Sequence, residues 1–529
     1  MIATTLNRLV TALILALLTF AALSAQAAQA VVPTQWIAKM YTEALGRIPD
    51  QSGWESSVNN FTSAGCTAAT LKSHGRAFYL STEYSGLGYD NAARLLTLYR
   101  GVLNREPDPS GFNSNLNALN AGTAWSTIVD QFFDSSEFAT LAATICSSTG
   151  TGSYSFNSRA AMALPVTTTG FTGTQAALQS ALNSAGSGGT VTLAQKALVT
   201  VTSTLNIPAG VTLTTFGSPA HAKYALMGRL VRAGTFATPM VTIQSGARLL
   251  NVWVDGARTS VGYGDNEINI EVEGGTGTTV SNCLISNSAG WSSFHALGTA
   301  EGHACGSNTI TNNLVTAYSS THFKQTGAAD ISQWTDGLSI ACENADVENN
   351  QIIDATDVGV VLFRAYSAVQ KSLVRNNTIL SAGNPAYGGI TLDPLSGSTL
   401  PQADYTGSSV QDNVMWTGPR THFDIALSVG TRPWFGTNTR KGFGASVTGN
   451  NTGTLTVIAD SGIAVSGMLS ANVTGNTINA NLQNTCGCPN DPAHPTITTV
   501  NVGASVSSGW ASGTIQPYTD VLYAQCVGH

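Results

Sequence analysis

A short motif that recurs along the second half of the chain constrains its fold more than any other feature. Each copy begins with an apolar residue, and asparagine stands at the fourth position in six of seven copies. The copies begin 26 to 37 residues apart, at Val280, Ile310, Val347, Val374, Val410, Val447 and Val473. Repeats of this length are typical of solenoids, in which each repeat forms one coil that stacks on its neighbours.

The fourth-position asparagines predict a hydrogen-bonded ladder inside this solenoid. Strands of stacked coils lie ~4.8 Å apart, which is within reach of one side-chain amide for the next. Asparagine also tolerates the left-handed backbone conformation that a corner requires. We therefore interpret these residues as structural.

The segment before the repeats has the pattern of a capped solenoid entry. Thr174–Leu182 places Leu178 and Leu182 four residues apart, which predicts a short helix. A glycine-rich turn, a strand and the stretch Leu205-Asn-Ile-Pro-Ala-Gly-Val-Thr-Leu213 follow it. This order resembles the entry to pectate-lyase-like proteins. The resemblance implies a mainly β fold, a right-handed parallel β-helix over residues 166–529, with an N-terminal capping helix.

An internal duplication marks residues 31–147 as a small all-α domain. Met40–Trp54 and Leu98–Phe112 are similar, and both contain Pro-Asp-x-x-Gly, which is a turn followed by a helix start. The two copies resemble the DUF4214 module, which implies no enzymatic activity. Arg47, Asp50, Arg105 and Asp108 are candidates for binding a glycan or partner, but the favoured interpretation is that they bridge the loop to the helix. Residues 148–165, rich in Ser, Thr and Gly, are the predicted linker.

The first thirty residues have the pattern of a secretory signal peptide. A basic Arg8 precedes the apolar run from Leu9 to Leu23, and two small-x-small sites follow. The sequence contains no other run that could cross a bilayer. We expect a secreted or cell-surface protein in which disulfides can form. Cys66 and Cys146 both fall in the helical region and could pair, but eight cysteines allow 105 pairings and the sequence does not choose among them.

Composition excludes two broad classes of function. Lys and Arg total 23 against 30 Asp and Glu, so the chain lacks the basic surface of a nucleic-acid-binding protein. Hydrophobic residues make up 43% of the chain, which argues against intrinsic disorder.

Candidate site residues follow from aligning one strand of each coil. The alignment places Asp336, Val358, Gly388, Phe423 and Ser461 at equivalent positions. Residues at or just before these positions then form a line of titratable groups, namely Asp336, Asp357, Tyr387, His422 and Asp460. Further candidates for binding a substrate lie nearby in sequence, namely Lys324, Arg364, Asp393 and Trp334.

Asp336 and Asp357 have the chemistry that glycoside hydrolysis needs, one carboxylic acid and one carboxylate. Thr335-Asp336-Gly337 and Thr356-Asp357 resemble the two aspartate motifs of polygalacturonase-type glycoside hydrolases. The second aspartate of that family's Asp-Asp pair is Val358 here, its Gly-His-Gly is Tyr387-Gly-Gly, and its Arg-Ile-Lys is missing. The family's activity therefore does not transfer to this chain.

A lyase would use other residues of the same line. β-Elimination on a uronic acid needs a base and a cation, and Lys324, Arg364, Tyr387 and His422 are the candidates. An epimerase would use the same chemistry. The sequence predicts no required cofactor and no metal ligand set, and leaves calcium open. The leading hypothesis is a polysaccharide-cleaving enzyme, and the alternative is a non-catalytic glycan-binding or adhesion protein.

Overall fold

The structure is a computed structural model. It describes residues 31–147, 160–298, 305–317, 333–365, 369–394, 403–430, 442–466 and 468–482, and three short strands within 497–517. The predicted signal peptide and most of the predicted linker lie outside these ranges, as do Cys486, Cys488 and Cys526. No helix in the described ranges is long and apolar enough to cross a membrane.

The chain begins with a helical module. Its helices are α1 (Thr34–Lys39, continued by a π-helical turn Met40–Ala44), α2 (Gln51–Ala64), α3 (Ala68–Tyr79), α4 (Thr82–Gly86), α5 (Asn91–Val102), α6 (Pro109–Asn120), α7 (Trp125–Phe133) and α8 (Ser136–Ile145). A disulfide between Cys66 and Cys146 joins the loop after α2 to the end of α8.

The duplicated Pro-Asp-x-x-Gly segments start α2 and α6. Asp50 and Asp108 each accept a hydrogen bond at 2.8 Å from the backbone N–H of the glycine three residues later. That glycine is required because a Cβ atom at Gly53 would lie 2.1 Å from the Tyr41 hydroxyl. The turn therefore caps the helix and leaves room for a buried tyrosine.

The duplicated arginines also have a structural role. Arg47 forms an ion pair with Glu83 at 2.7 Å and contacts Asp50, and Arg105 repeats this arrangement with Glu137 and Asp108. This confirms the interpretation that these residues bridge loop and helix.

After the module, α9 (Gln175–Ala185) caps a parallel β-helix built from three sheets. A 3₁₀ turn (His221–Leu226) and the short α10 (Arg258–Val261) interrupt the coils. The first sheet contains β1 (Thr190–Leu193), β4 (Thr212–Thr215), β7 (Arg248–Leu250), β10 (Thr279–Ser281), β13 (Thr309–Thr311), β16 (Asp346–Glu348), β19 (Leu373–Arg375), β23 (Ser409–Gln411), β26 (Gly442–Thr448), β28 (Met468–Thr474) and β31 (Ser505–Val506), with β22 (Ala403–Asp404) beside β26.

The second sheet has fewer strands than the other two, and the third, like the first, continues to the last described coil. The second contains β2 (Leu198–Val201), β5 (Gly228–Arg232), β8 (Val252–Asp255), β11 (Leu284–Ser286), β14 (Leu314–Thr316), β17 (Gln351–Ile353), β20 (Thr378–Ser381) and β24 (Val414–Thr417). The third contains β3 (Leu205–Ile207), β6 (Val241–Ile243), β9 (Ile270–Glu273), β12 (Ser292–Leu297), β15 (Asp336–Ile340), β18 (Val358–Phe363), β21 (Ala386–Asp393), β25 (Phe423–Gly430), β27 (Val457–Ser466), β30 (Ile497–Val500) and β32 (Gln516–Pro517), with β29 (Ala480–Leu482) beside β27. The predicted fold class is confirmed.

The predicted asparagine ladder is present at the corner between the first and second sheets. Each amide nitrogen donates to the side-chain oxygen of the next asparagine at 2.8–3.0 Å, through Asn313, Asn350, Asn377, Asn413, Asn450 and Asn476. The same oxygen also accepts the backbone N–H of the preceding asparagine in the ladder. From Asn313 to Asn450, each ladder asparagine is therefore bonded from both sides along the solenoid axis.

The left-handed backbone belongs to the third motif position, not to the ladder residue. Asn312, Asn349 and Asn376 have φ of 56–57°, and Asp412, Gly449 and Gly475 hold the same position in later coils. Asparagine, aspartate and glycine share this position because they tolerate positive φ at the least cost.

The helical module packs against the outer face of the second sheet. One apolar cluster contains residues of the module, such as Trp36 and Leu95, together with Trp253, Leu314 and Trp416 of the sheet. Polar contacts add to it, including the 2.6 Å hydrogen bond from the Ile48 N–H to Gln351 Oε1. The module and the β-helix thus share a core.

A buried ion network lies within this interface. Glu106 of the module bridges Arg100 and Arg229, and Arg229 also pairs with Asp255 at 2.6 Å. The guanidinium of Arg229 lies 3.8 Å from the centroid of the Trp253 ring. Because buried charges are stable only when paired, this network fixes how the module sits on the second sheet.

Candidate functional site

The outer face of the third sheet carries most of the candidate residues. Its strands share one pattern, shown by β18: Val360 and Leu362 belong to the main core, whereas Val358, Val361 and Phe363 form a separate apolar cluster. A glycine at position 359 lies between the outward Val358 and the inward Val360. The outward residues of these strands therefore form stripes that run along the solenoid axis.

The predicted alignment is confirmed for β15, β18 and β21 and is wrong for β25. Leu338 pairs with Val360, and Val360 with Ile390, as predicted. Gly388, however, pairs with Ile425 and not with Phe423. The residue in line with Tyr387 is therefore Asp424, and His422 is displaced by two residues.

The corrected alignment defines a row of residues at the entry to the third sheet, which we call the corner row: Trp291, Thr335, Asp357, Tyr387 and Asp424. Backbone hydrogen bonds connect its first members, from Asp336 N–H to Trp291 O at 2.7 Å, from Asp357 N–H to Thr335 O at 3.2 Å and from Gly388 N–H to Asp357 O at 3.0 Å. The row crosses five coils.

Aromatic residues belong to the corner row or pack against it. The rings of Trp334 and Tyr387 meet edge to face at 5.5 Å, and both residues are half-buried. Trp291 is also half-buried. Such rings have apolar faces that stay accessible to a ligand while their edges pack on the protein.

Asp336 has a geometry that favours a structural role. It is 2% exposed. Its Oδ1 accepts the Val358 N–H at 3.0 Å and its Oδ2 accepts the Ser339 hydroxyl at 2.8 Å. A carboxylate bonded in this way joins two coils, so the catalytic prediction for Asp336 stays a prediction with this geometry against it.

Asp357 lies in a different environment. It is 7% exposed and belongs to the corner row, beside the half-buried Tyr263. Burial raises the pKa of Tyr263, and the nearby carboxylates of Asp265 and Asp357 add to this rise. Of the two predicted aspartates, Asp357 is the one next to aromatic rings.

Arg258 holds the backbone segment around Trp334 in place. Its guanidinium donates to Ser288 O at 3.1 Å, to Thr335 Oγ1 at 2.8 Å and to Gln333 O. Burial lowers the pKa of Arg258 to about 10. Since two of these contacts flank Trp334 in sequence, Arg258 holds the segment that presents its ring.

Sequence reasoning missed a histidine and glutamate pair on the same face. His295 and Glu271 are register partners on β12 and β9, with 3.2 Å between Nδ1 and Oε2. The His295 ring meets Trp291 edge to face at 4.6 Å. The two residues are 24 positions apart, and only the pairing of β9 with β12 brings them together.

Several other predicted site residues lie elsewhere along this face. His422 Nε2 is 3.5 Å from Asp424 Oδ1. Arg364 donates its backbone N–H to Asp393 O at 3.1 Å, and both residues are almost fully buried, close to the buried Tyr405. Trp416, on the second sheet, is buried under the helical module and is not part of this face.

One of the predicted site residues cannot be placed. Lys324, a candidate for substrate binding and for the lyase cation, lies outside the described residues. Within the described ranges, no group of three or more His, Cys, Asp or Glu side chains is arranged to hold a metal ion.

These features define a parallel β-helix protein with an accessory helical module and a polar, aromatic outer corner. Residues 75–142 match the family model "Domain of unknown function (DUF4214)". This confirms the resemblance seen in the duplicated motifs. No curated protein matches the chain.

Solved structures of similar fold include three proteins of 12–13% identity. An alginate lyase from Paenibacillus sp. str. FPU-7 aligns over 58% of this chain and 97% of its own, with a TM-score of 0.38. An endo-xylogalacturonan hydrolase from Aspergillus tubingensis aligns over 65% and 96%, at 0.32. The tailspike protein of E. coli bacteriophage HK620, solved with a pentasaccharide, aligns over 65% and 60%, at 0.36. These similarities concern the fold alone.

Proposed function

We propose that this chain is an exported protein that binds a polysaccharide along the corner row and cleaves it. The observation that carries the proposal is that one row combines the half-buried rings of Trp291 and Tyr387 with the carboxylate of Asp357, while Trp334 packs on Tyr387. Sugars present apolar faces that stack on aromatic rings. A solenoid repeats its strands at a fixed spacing, which suits a polymer bound over several coils.

Export is part of the same proposal. The predicted signal peptide supports it, and so do the disulfides Cys66–Cys146 and Cys305–Cys342, because disulfides persist in oxidising compartments.

For the chemistry, we propose Asp357 as the acid or base. A partner carboxylate would have to lie ~5–9.5 Å away for glycoside hydrolysis, and Asp424, two coils away in the corner row, is the candidate. The lyase alternative keeps Tyr387 as the base. A non-catalytic glycan-binding role remains the second candidate, favoured by the complete hydrogen bonding of Asp336.

The experiment is a polysaccharide panel with two readouts, reducing ends and absorbance of unsaturated uronates. Trp334→Ala and Tyr387→Ala should each weaken binding about fivefold, since aromatic contacts of this kind contribute on the order of 1 kcal/mol. Phe216→Ala is the control, because Phe216 is 43% exposed and lies outside the corner row.

The product then separates the candidates. Reducing ends that disappear in Asp357→Asn support a hydrolase. Unsaturated products that disappear in Tyr387→Phe support a lyase. Binding without any product supports the non-catalytic role. Equal binding by Trp334→Ala and the unmodified chain would overturn the proposed site.

A further inference from the structure

The charge of the outer face narrows the class of glycan it can accept. The face is formed by described residues 258–273, 288–298, 333–341, 356–365, 384–394 and 418–430. These segments contain three arginines, Arg258, Arg364 and Arg420. They contain eight carboxylates, Asp265, Glu267, Glu271, Glu273, Asp336, Asp357, Asp393 and Asp424. The described face is therefore acidic.

More carboxylates than arginines of this face reach solvent. Asp265 and Glu273 are exposed, and Glu271 and Asp424 are partly exposed. Arg258 and Arg364 are 5% and 8% exposed, and Arg420 is partly exposed. The charge that the described face presents to a ligand is therefore mostly negative.

We propose that the polysaccharide bound along the corner row is neutral, and that polyuronates are excluded by repulsion from Glu271 and Glu273. A polyuronate brings one carboxylate per sugar. Like charges placed opposite each other in an interface are unfavourable and suppress the wrong partner. Neutral sugars still stack on the rings and donate hydroxyl hydrogen bonds to the carboxylates. This inference rests on the proposed function.

The test compares neutral polysaccharides with polyuronates by affinity electrophoresis of the purified chain at low and at physiological salt. The double variant Glu271→Gln/Glu273→Gln removes two charges at the face. The control Glu55→Gln/Asp134→Asn removes two exposed charges from the helical module. Both variants have the same net charge, so steering by total charge is matched.

We expect the unmodified chain to be retarded by a neutral polysaccharide with little dependence on salt. The face variant should gain affinity for polyuronates by roughly threefold to tenfold at low salt, as expected for removing charges several Å from a ligand carboxylate. The control variant should not gain it.

Two negative results have different meanings. Tighter binding of a polyuronate than of any neutral polysaccharide by the unmodified chain would overturn the inference and leave the proposed function standing. Absence of binding to every polymer would overturn the proposed function, and the inference with it.

Discussion

Replacing Asn377 with Ala tests whether the asparagine ladder stabilises the solenoid. The Asn377 side chain is fully buried and makes four hydrogen bonds. Its nitrogen donates to Asn413 Oδ1 and Val347 O, each at 2.9 Å. Its oxygen accepts the Asn350 N–H at 2.9 Å and Asn350 Nδ2 at 3.0 Å. The variant removes all four.

The cost follows from what each partner keeps. The backbone N–H of Asn350 loses its acceptor inside the corner, which costs about 1–3 kcal/mol. Asn350 Nδ2 still donates to Ile310 O, and Asn413 Oδ1 still accepts the Asn377 N–H. Those contacts therefore count near the lower end of the ~0.5–1.5 kcal/mol that a typical hydrogen bond contributes. With the lost Val347 O contact there are three such bonds, worth about 1.5 kcal/mol together, so the total is about 2.5–4.5 kcal/mol.

Hydrogen exchange measures this cost locally, since stability in a solenoid differs between coils. We expect amide protection around Asn350 to fall by at least about 50-fold, because every 1.4 kcal/mol is a factor of ten. The apparent melting temperature by circular dichroism should fall as well. Asn312→Gly is the matched control, since the exposed Asn312 is one residue before the ladder. A loss of protection below tenfold would refute the reasoning.

Three further predictions concern other parts of the molecule. Asn312→Val should lower the melting temperature where Asn312→Gly does not, because a β-branched residue is strained at φ 56°; equal melting of both variants would contradict this. Glu106→Gln should destabilise the chain by about 3 kcal/mol in thermal unfolding because two buried arginines lose their shared carboxylate, whereas Glu83→Gln, at an exposed pair, should cost under about 1 kcal/mol. The Gly111 N–H and the Ser110 hydroxyl lower the pKa of Asp108 to about 2, below its ordinary value, so its stabilisation is present above about pH 4 and lost as the pH falls towards 2. Urea unfolding at pH 6, 4 and 3 should therefore show a smaller acid loss in Asp108→Asn, and an unchanged acid loss would show that this carboxylate does not contribute.

The error in the register of β25 has a physical cause. Side chains on a strand alternate with a period of two, so a shift by two residues keeps every residue on its face. The stretch Phe423-Asp-Ile-Ala-Leu427 satisfies the apolar pattern in either position. The three preceding strands carry a glycine at the second aligned position. β25 has no glycine there in either register, so this position could not reveal the correct alignment.

The docking of the helical module could not be predicted for a related reason. Trp253, Leu314 and Trp416 lie on the outer face of the second sheet. In the sequence, however, they have the apolar character of residues that face a β-helix core. A strand buried on both faces is hydrophobic throughout. The sequence therefore shows that these residues are buried but not that a separate module buries them.

The sequence by itself determined the coil. The spacing of the motif, the asparagines at its fourth position and the residues that tolerate positive φ at its third are local requirements, and each is visible in one repeat. Only the tertiary structure decided the site. Asp336 meets the Val358 N–H of the next coil, His295 meets Glu271 of the previous one, and Trp334 meets Tyr387. The coils differ in length, so the register between them, which sets these contacts, depends on how every loop closes.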